Sequence, residues 1–213
     1  MAKLPKGILG PISGKIGPVI GGVWKGIPFI KEAKDVPEKL PRTAAQLANE
    51  AKFKFVNDWL IPFHPFLTVG FTNMAEGRTE IAAAFKTVYK TVFTGTAPDL
   101  LVDHHQMVIS SGPLPMVKNP AVTFTGPDLV HFTWNQNAVK GTQYNDQLMV
   151  ALYDRESGEC DGFIGGANRA AQSFTFKVMG ETVGRTLDVY LTTFAIGLTK
   201  VSNSQYLGQI VPG

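Results

Sequence analysis

From about Ala121 onward, apolar residues recur at every second position. The runs are Val130-Phe132-Trp134, Leu148-Val150-Leu152, Phe174-Phe176-Val178 and Leu187-Val189-Leu191. Successive side chains of a strand point to opposite faces, so each run predicts a strand with a buried face. Turn-forming clusters separate them: Gly126-Pro127-Asp128, Asn135-Gln136-Asn137, Glu156-Ser157-Gly158 and Gly180-Glu181. Short strands at this spacing predict an antiparallel β-sandwich over residues 118–213.

Upstream the period lengthens. Thr43-Ala44-Ala45-Gln46 matches a capping box, in which the threonine hydroxyl and the glutamine side chain satisfy the first free N–H groups of a helix. Leu47, Ala48, Ala51, Phe55, Val56 and Trp59 follow at helical spacing, and the helix is expected to end before Pro62. The apolar stretch 62–73 suits a short helix. A further helix is expected over residues 79–93, with Ile81, Phe85, Val88 and Val92 on one face. Residues 43–117 thus read as a small helical unit with connecting strands, its aromatic stripe serving as core.

Residues 1–31 fit neither period. Glycine recurs at 7, 10, 14, 17, 21, 22 and 26 among Ile16, Val19, Val23, Trp24, Ile27 and Phe29, which is too apolar for a solvated tail and too glycine-rich for a stable helix. The pair Gly21-Gly22 between two β-prone runs predicts the turn of a hairpin. Pro18 and Pro28, lacking an N–H, confine those strands to edges. Residues 1–42 therefore read as an extended arm or hairpin followed by a charged linker, and the whole chain as α+β. The arm packs either on its own domain or, by strand addition, on a neighbour.

Charge sharpens the arm. The 213-residue chain carries +3 overall, yet the arm holds five lysines and no acidic residue, while residues 32–213 hold 15 Lys/Arg against 17 Asp/Glu. A near-neutral body lacks the dense basic face of a nucleic-acid binder. The arm contains no arginine, and lysines flanking a buried strand account for its charge. A hydrophobic fraction of 44% with 17% charged residues excludes global disorder. No apolar run reaches the roughly 20 residues of a membrane helix. Gly10, Pro11, Gly14 and Lys15 interrupt any signal-peptide core, so synthesis in the cytoplasm is expected, with a virion or an extracellular particle as a later destination.

Catalytic motifs are scarce. No phosphate-binding glycine loop and no G-x-S-x-G elbow occurs, and Cys160 is the single cysteine. Asp103-His104-His105 is the only histidine cluster, and adjacent residues of an extended strand face opposite ways, so no metal site is expected there. Asp154, Glu156, Glu159 and Asp161 lack the spacing of a calcium loop and read as a charged turn. The expectation is a non-enzyme without cofactor, catalytic residue or metal.

Two resemblances add to this. Trp134 on an early strand and Tyr190 on a late one resemble a fibronectin III-like or immunoglobulin-like layout over residues 118–213. The motifs Lys6-Gly7-Ile8-Leu9-Gly10, Ser13-Gly14-Lys15-Ile16-Gly17-Pro18-Val19 and Gly22-Val23-Trp24-Lys25-Gly26-Ile27 resemble the opening of an uncharacterised family of similar length in the Bacteroidota. Pro41-Arg42-Thr43-x-x-Gln46, Phe66-Leu67-x-Val69-Gly70-Phe71 and Ser202-Asn203-Ser204-x-Tyr206-Leu207-Gly208 continue that match. The family implies no catalytic residues. The stretch from Lys15 to Phe53 is also similar to some phage virion proteins. The sequence thus points to a self-assembling structural protein, a subunit of a phage-like or other extended particle. Ile16, Val19, Val23, Trp24, Ile27 and Phe29 would contact another copy or a particle neighbour. The alternative is a protein- or glycan-binding β-sandwich module with no assembly role.

Overall fold

A computed structural model describes residues 3–4, 7, 10–24, 26–33 and 41–213. The chain divides into two compact units, Met1–Thr43 and Ala44–Gly213.

In the first unit, strands β1 (Gly14–Ile16), β2 (Val19–Trp24) and β3 (Ile27–Glu32) form an antiparallel sheet in the order β1-β2-β3. The arm is thus stranded, but Gly21-Gly22 does not turn it. Those glycines lie inside β2, paired with Ile30 and Phe29 of β3. The reversals come at Gly17-Pro18, where Gly17 has φ +52°, and beside Gly26, with φ +82°. Close packing explains the two central glycines. A Cβ at Gly21 would lie 2.8 Å from that of Ile12, and one at Gly22 would lie 2.8 Å from the Phe29 ring. A backbone bridge between Lys3 and Ser13 extends the same unit.

The second unit begins with α1 (Ala44–Leu60), so Thr43 occupies the expected cap position. α1 ends before Pro62, as expected, but the helical path does not. It continues through a single 3-10 turn, Ile61–Phe63, into α2 (His64–Gly70). Pro62 and Pro65 each fall in the first turn of a new segment, where the missing N–H costs nothing. The next helix, α3 (Glu80–Val88), is shorter than expected; the Thr79 hydroxyl caps it by accepting from the Ala82 N–H. Beyond it the chain turns into the hairpin β4 (Phe93–Thr96) and β5 (Asp99–Val102). Much of α1 is not core: Leu47, Phe53 and Phe55 are exposed, and its buried residues are Val56 and Leu60.

Seven antiparallel strands follow: β6 (Lys118–Gly126), β7 (Leu129–Asn135), β8 (Gln147–Asp154), β9 (Cys160–Asn168), β10 (Ser173–Lys177), β11 (Leu187–Phe194) and β12 (Gln205–Ile210). They form a three-stranded sheet, β10-β7-β6, and a four-stranded sheet, β12-β11-β8-β9. All four alternating runs fall on one buried cluster: Val130, Phe132 and Trp134 of β7 meet Leu148, Val150 and Leu152 of β8, Leu187, Val189 and Leu191 of β11, and Val178. The opposite face of β8 and β11 is buried as well. Met149, Ala151, Tyr153, Tyr190 and Phe194 form a second cluster with Val56, Leu60, Phe63, Leu67 and Val88 of the helical segment. The four-stranded sheet is therefore covered on both faces, which is why every residue of β11 is buried. Trp134 and Tyr190 consequently belong to different clusters.

Candidate functional site

The six arm residues sit on the N-terminal sheet, divided between its faces. Directly opposed residues of an antiparallel pair share a face. The rows Ile16–Val19–Glu32, Gly21–Ile30 and Val23–Pro28 define one face. The rows Lys15–Ile20–Lys31, Gly22–Phe29 and Trp24–Ile27 define the other. Ile16, Val19 and Val23 thus lie opposite to Trp24, Ile27 and Phe29. Ile12 crowds the first face at Gly21, and Glu32 adds an acid there. The second face carries the exposed side chains of Trp24 (44%), Ile27 (59%) and Phe29 (41%), with Lys15 and Lys31 as its charged residues. Every residue of β3 is exposed, Ile30 most of all among its apolar ones. So much apolar surface on so small a sheet suits contact with another surface better than contact with water.

A second concentration of chemistry lies in the larger unit, around the fully buried Asp188 of β11. Arg155 grips its carboxylate with two hydrogen bonds, Nε to Oδ2 at 2.5 Å and Nη2 to Oδ1 at 2.7 Å. The Tyr206 hydroxyl donates to Oδ1 at 2.7 Å, and His104 Nδ1 stands 3.3 Å from Oδ2. Burial alone would raise the Asp188 carboxyl, but the hydrogen bonds from Arg155 and Tyr206 hold it below its usual range. His104 is shifted below its ordinary value of 6.5, by burial first and the Arg155 charge second, against the pull of Asp188. Tyr206 is pushed up to about 12, by burial and by its bond to Asp188. A neutral imidazole beside a charged carboxylate is the pairing that orients a base in hydrolytic enzymes. Among the described residues, however, no hydroxyl or thiol bonds the His104 ring, and its neighbours are Tyr153 in a stack at 5.7 Å and Trp59 at 5.9 Å. The arrangement holds a turn against a strand: the His104 carbonyl also accepts from the Tyr190 hydroxyl at 2.8 Å.

His104 and His105 lie on a 3-10 turn (His104–Gln106), not on an extended strand. They still diverge, His104 toward Asp188 and His105 toward the ring of Tyr206 at 4.6 Å. Asp154 folds the β8–β9 turn on itself, accepting from the Glu156 N–H at 2.8 Å and from the Ser157 hydroxyl at 2.8 Å, and Arg185 ties it at 2.8 Å. Burial pushes the Cys160 thiol well up, so it stays protonated. A second buried ion pair, Arg169 with Asp146 at 3.1 Å, had no signal in the local pattern. Asp188 did have one, as an acid set between Leu187 and Val189 in an apolar strand.

Two of the motifs from the sequence meet in space. The Gly70 carbonyl accepts from the Ser111 N–H at 3.0 Å, and a Cβ at Gly70 would lie 2.8 Å from that of Ser110. The Ser110 hydroxyl bonds the Ser202 carbonyl at 2.8 Å and Thr192 Oγ1 at 2.6 Å, and Asn203 and Ser204 accept from the N–H groups of Gly112 and Ile109. Asn73 completes the staple by accepting from the Val201 N–H. A family model matches residues 11–208, nearly the full chain, from just before β1 into β12. The chain belongs to DUF6266, a family of unknown function. The DUF6266 match thus takes in both the N-terminal sheet and the stapled body. No curated protein matches the chain. No helix among the described residues is long and apolar enough to cross a membrane.

Proposed function

We propose that this protein is a structural, self-assembling subunit of a phage-like or other extended particle, and that its N-terminal sheet makes the contacts between copies. The observation that carries this reading is the exposure of Trp24, Ile27, Phe29 and Ile30 on a separate compact unit. Burying such side chains against a partner contributes about 1.5–3 kcal/mol each, enough for several to offset the cost of association. The body then serves as a rigid carrier. Its seven antiparallel strands in sheets of three and four suit a β-sandwich of the fibronectin III or immunoglobulin kind, with helices added to one outer face.

Light scattering of the full chain over a range of concentrations tests the reading. Masses above the monomer are expected, falling to the monomer when residues 1–31 are removed. Unchanged assembly without those residues sinks it.

A further inference from the structure

Building on that reading, we infer that the lysine-flanked face of the arm docks into an acid-rimmed apolar cavity on the body of a second copy, joining subunits head to tail. The cavity, about 410 Å³, is lined by Pro62, Glu159, Cys160, Asp161, Met179 and Thr182. Its apolar lining opens to solvent at Met179, which is 63% exposed. The two acids differ in role. Asp161 is committed to the wall, accepting from the N–H groups of Gly162 and Met179 at 2.7 and 2.9 Å. The Glu159 carboxylate makes no hydrogen bond among the described residues, and its side chain is exposed.

Charge complementarity selects the occupant. The face bearing Trp24, Ile27 and Phe29 carries Lys15 and Lys31 and no acid among the described residues, while the cavity pairs an apolar wall with Glu159. Opposite charges at the rim of an apolar contact speed encounter and set register, and the buried aromatics supply the affinity. The whole chain repeats the pattern, with five lysines and no acid in residues 1–31 and an acidic excess in the remainder. Because the two patches differ, the contact is heterologous. Repeated from copy to copy it closes a ring or grows a filament instead of stopping at a dimer.

Two full-length variants test this. The first, Trp24→Ser with Phe29→Ser, removes the donor face; the second, Glu159→Lys with Met179→Asp, removes the acceptor. Both sets lie at exposed positions, and circular dichroism with melting temperature confirms folding. Each variant alone is expected to be monomeric by sedimentation, with self-association weakened by about tenfold or more. Mixed together, the intact donor of one meets the intact acceptor of the other, and a complex of two chains forms and grows no further. The mixed complex is expected to weaken with salt, as charged rims are screened. If the acceptor variant assembles like the unmodified chain while loss of residues 1–31 abolishes assembly, the cavity is not the receptor and the assembly reading survives. If the two monomeric variants fail to combine, head-to-tail docking is overturned. An unmodified chain that stays monomeric at all concentrations, its arm packed on its own body, overturns both.

Discussion

At the scale of single residues, the buried charges govern stability. Arg169 and Asp146 are each 1% exposed, and the guanidinium also donates to the Pro115 carbonyl at 2.6 Å. Asp146→Ala leaves a buried cation without its counter-charge, and a loss of about 3–5 kcal/mol in chemical denaturation is expected. Asp188→Asn keeps the shape but removes the charge that Arg155 grips, so a smaller loss, about 1–3 kcal/mol, is expected by the same measurement. The Asp188 site also sets a pH dependence. His104 is held neutral, its folded value below 6.5, so the unfolded chain binds the proton first as pH falls. Stability contributed by the neutral imidazole is full above 6.5 and declines as pH drops through the window between that value and the folded one. The groups facing it are Asp188, Arg155, Asp103, His105 and Tyr153. Asp188 itself is lowered from 3.8, so its contribution is present above that value and is lost only in stronger acid. Melting temperatures from pH 8 to pH 5 should fall for the unmodified protein and fall less for His104→Gln. An equal slope in both would assign the decline to other groups.

At the scale of elements, the double-sided burial of β8 and β11 has a dynamic consequence. Strands covered by helices on one face and a second sheet on the other open only with global unfolding. Their amides are expected to exchange most slowly, with the exposed β3 among the fastest by hydrogen-exchange mass spectrometry. The contact between α2 and the segment before β6 depends on one glycine. Gly70→Ala drives a methyl toward the Ile109–Ser110 backbone, where overpacking costs about 1–3 kcal/mol. The loss should appear as a lowered denaturation midpoint, and a neutral effect would show that the staple around Ser110 and Ser202 yields readily. These elements also show what the chain pattern could convey. Leu148-Val150-Leu152 announced a strand because its buried face repeats with period two. The intervening Met149, Ala151 and Tyr153 are apolar too, the mark of a strand covered on both sides, but the covering layer is distant in sequence.

At the scale of the whole molecule, the chain divides into two compact units. The aromatic packing of Trp59 with Phe63 at 5.0 Å and Tyr153 at 5.2 Å, and of Phe63 with Tyr153 at 4.8 Å, lies wholly within Ala44–Gly213. Removal of residues 1–31 is therefore expected to leave near-ultraviolet circular dichroism from this cluster intact while altering mass. Loss of that signal would mean that the first unit is needed for the core of the second. The buried constellation at Asp188 belongs to the same body, where its bonds from Arg155 and Tyr206 join the β8–β9 turn and β12 to β11, and the Tyr190 hydroxyl ties in the turn at residues 104–106 through the His104 carbonyl.

The sequence by itself determined β7, β8, β10 and β11, the start of α1 at Ala44 and the stranded, basic and apolar nature of the arm. Each follows from a local rule: period, cap chemistry or composition. Only the tertiary structure decided where those rules were ambiguous. Two adjacent glycines serve equally for a turn or for close approach, and it was the nearness of Ile12 and Phe29 that put Gly21-Gly22 inside β2. Pro62 can end a helix or begin the next turn, and burial of Phe63, Phe66 and Leu67 against the sheet favoured continuation. The six arm residues looked like one surface because they are close in sequence; the register of β2 with β3 divided them between two faces. Periodicity says that a side chain has a face, and only long-range pairing says what that face meets.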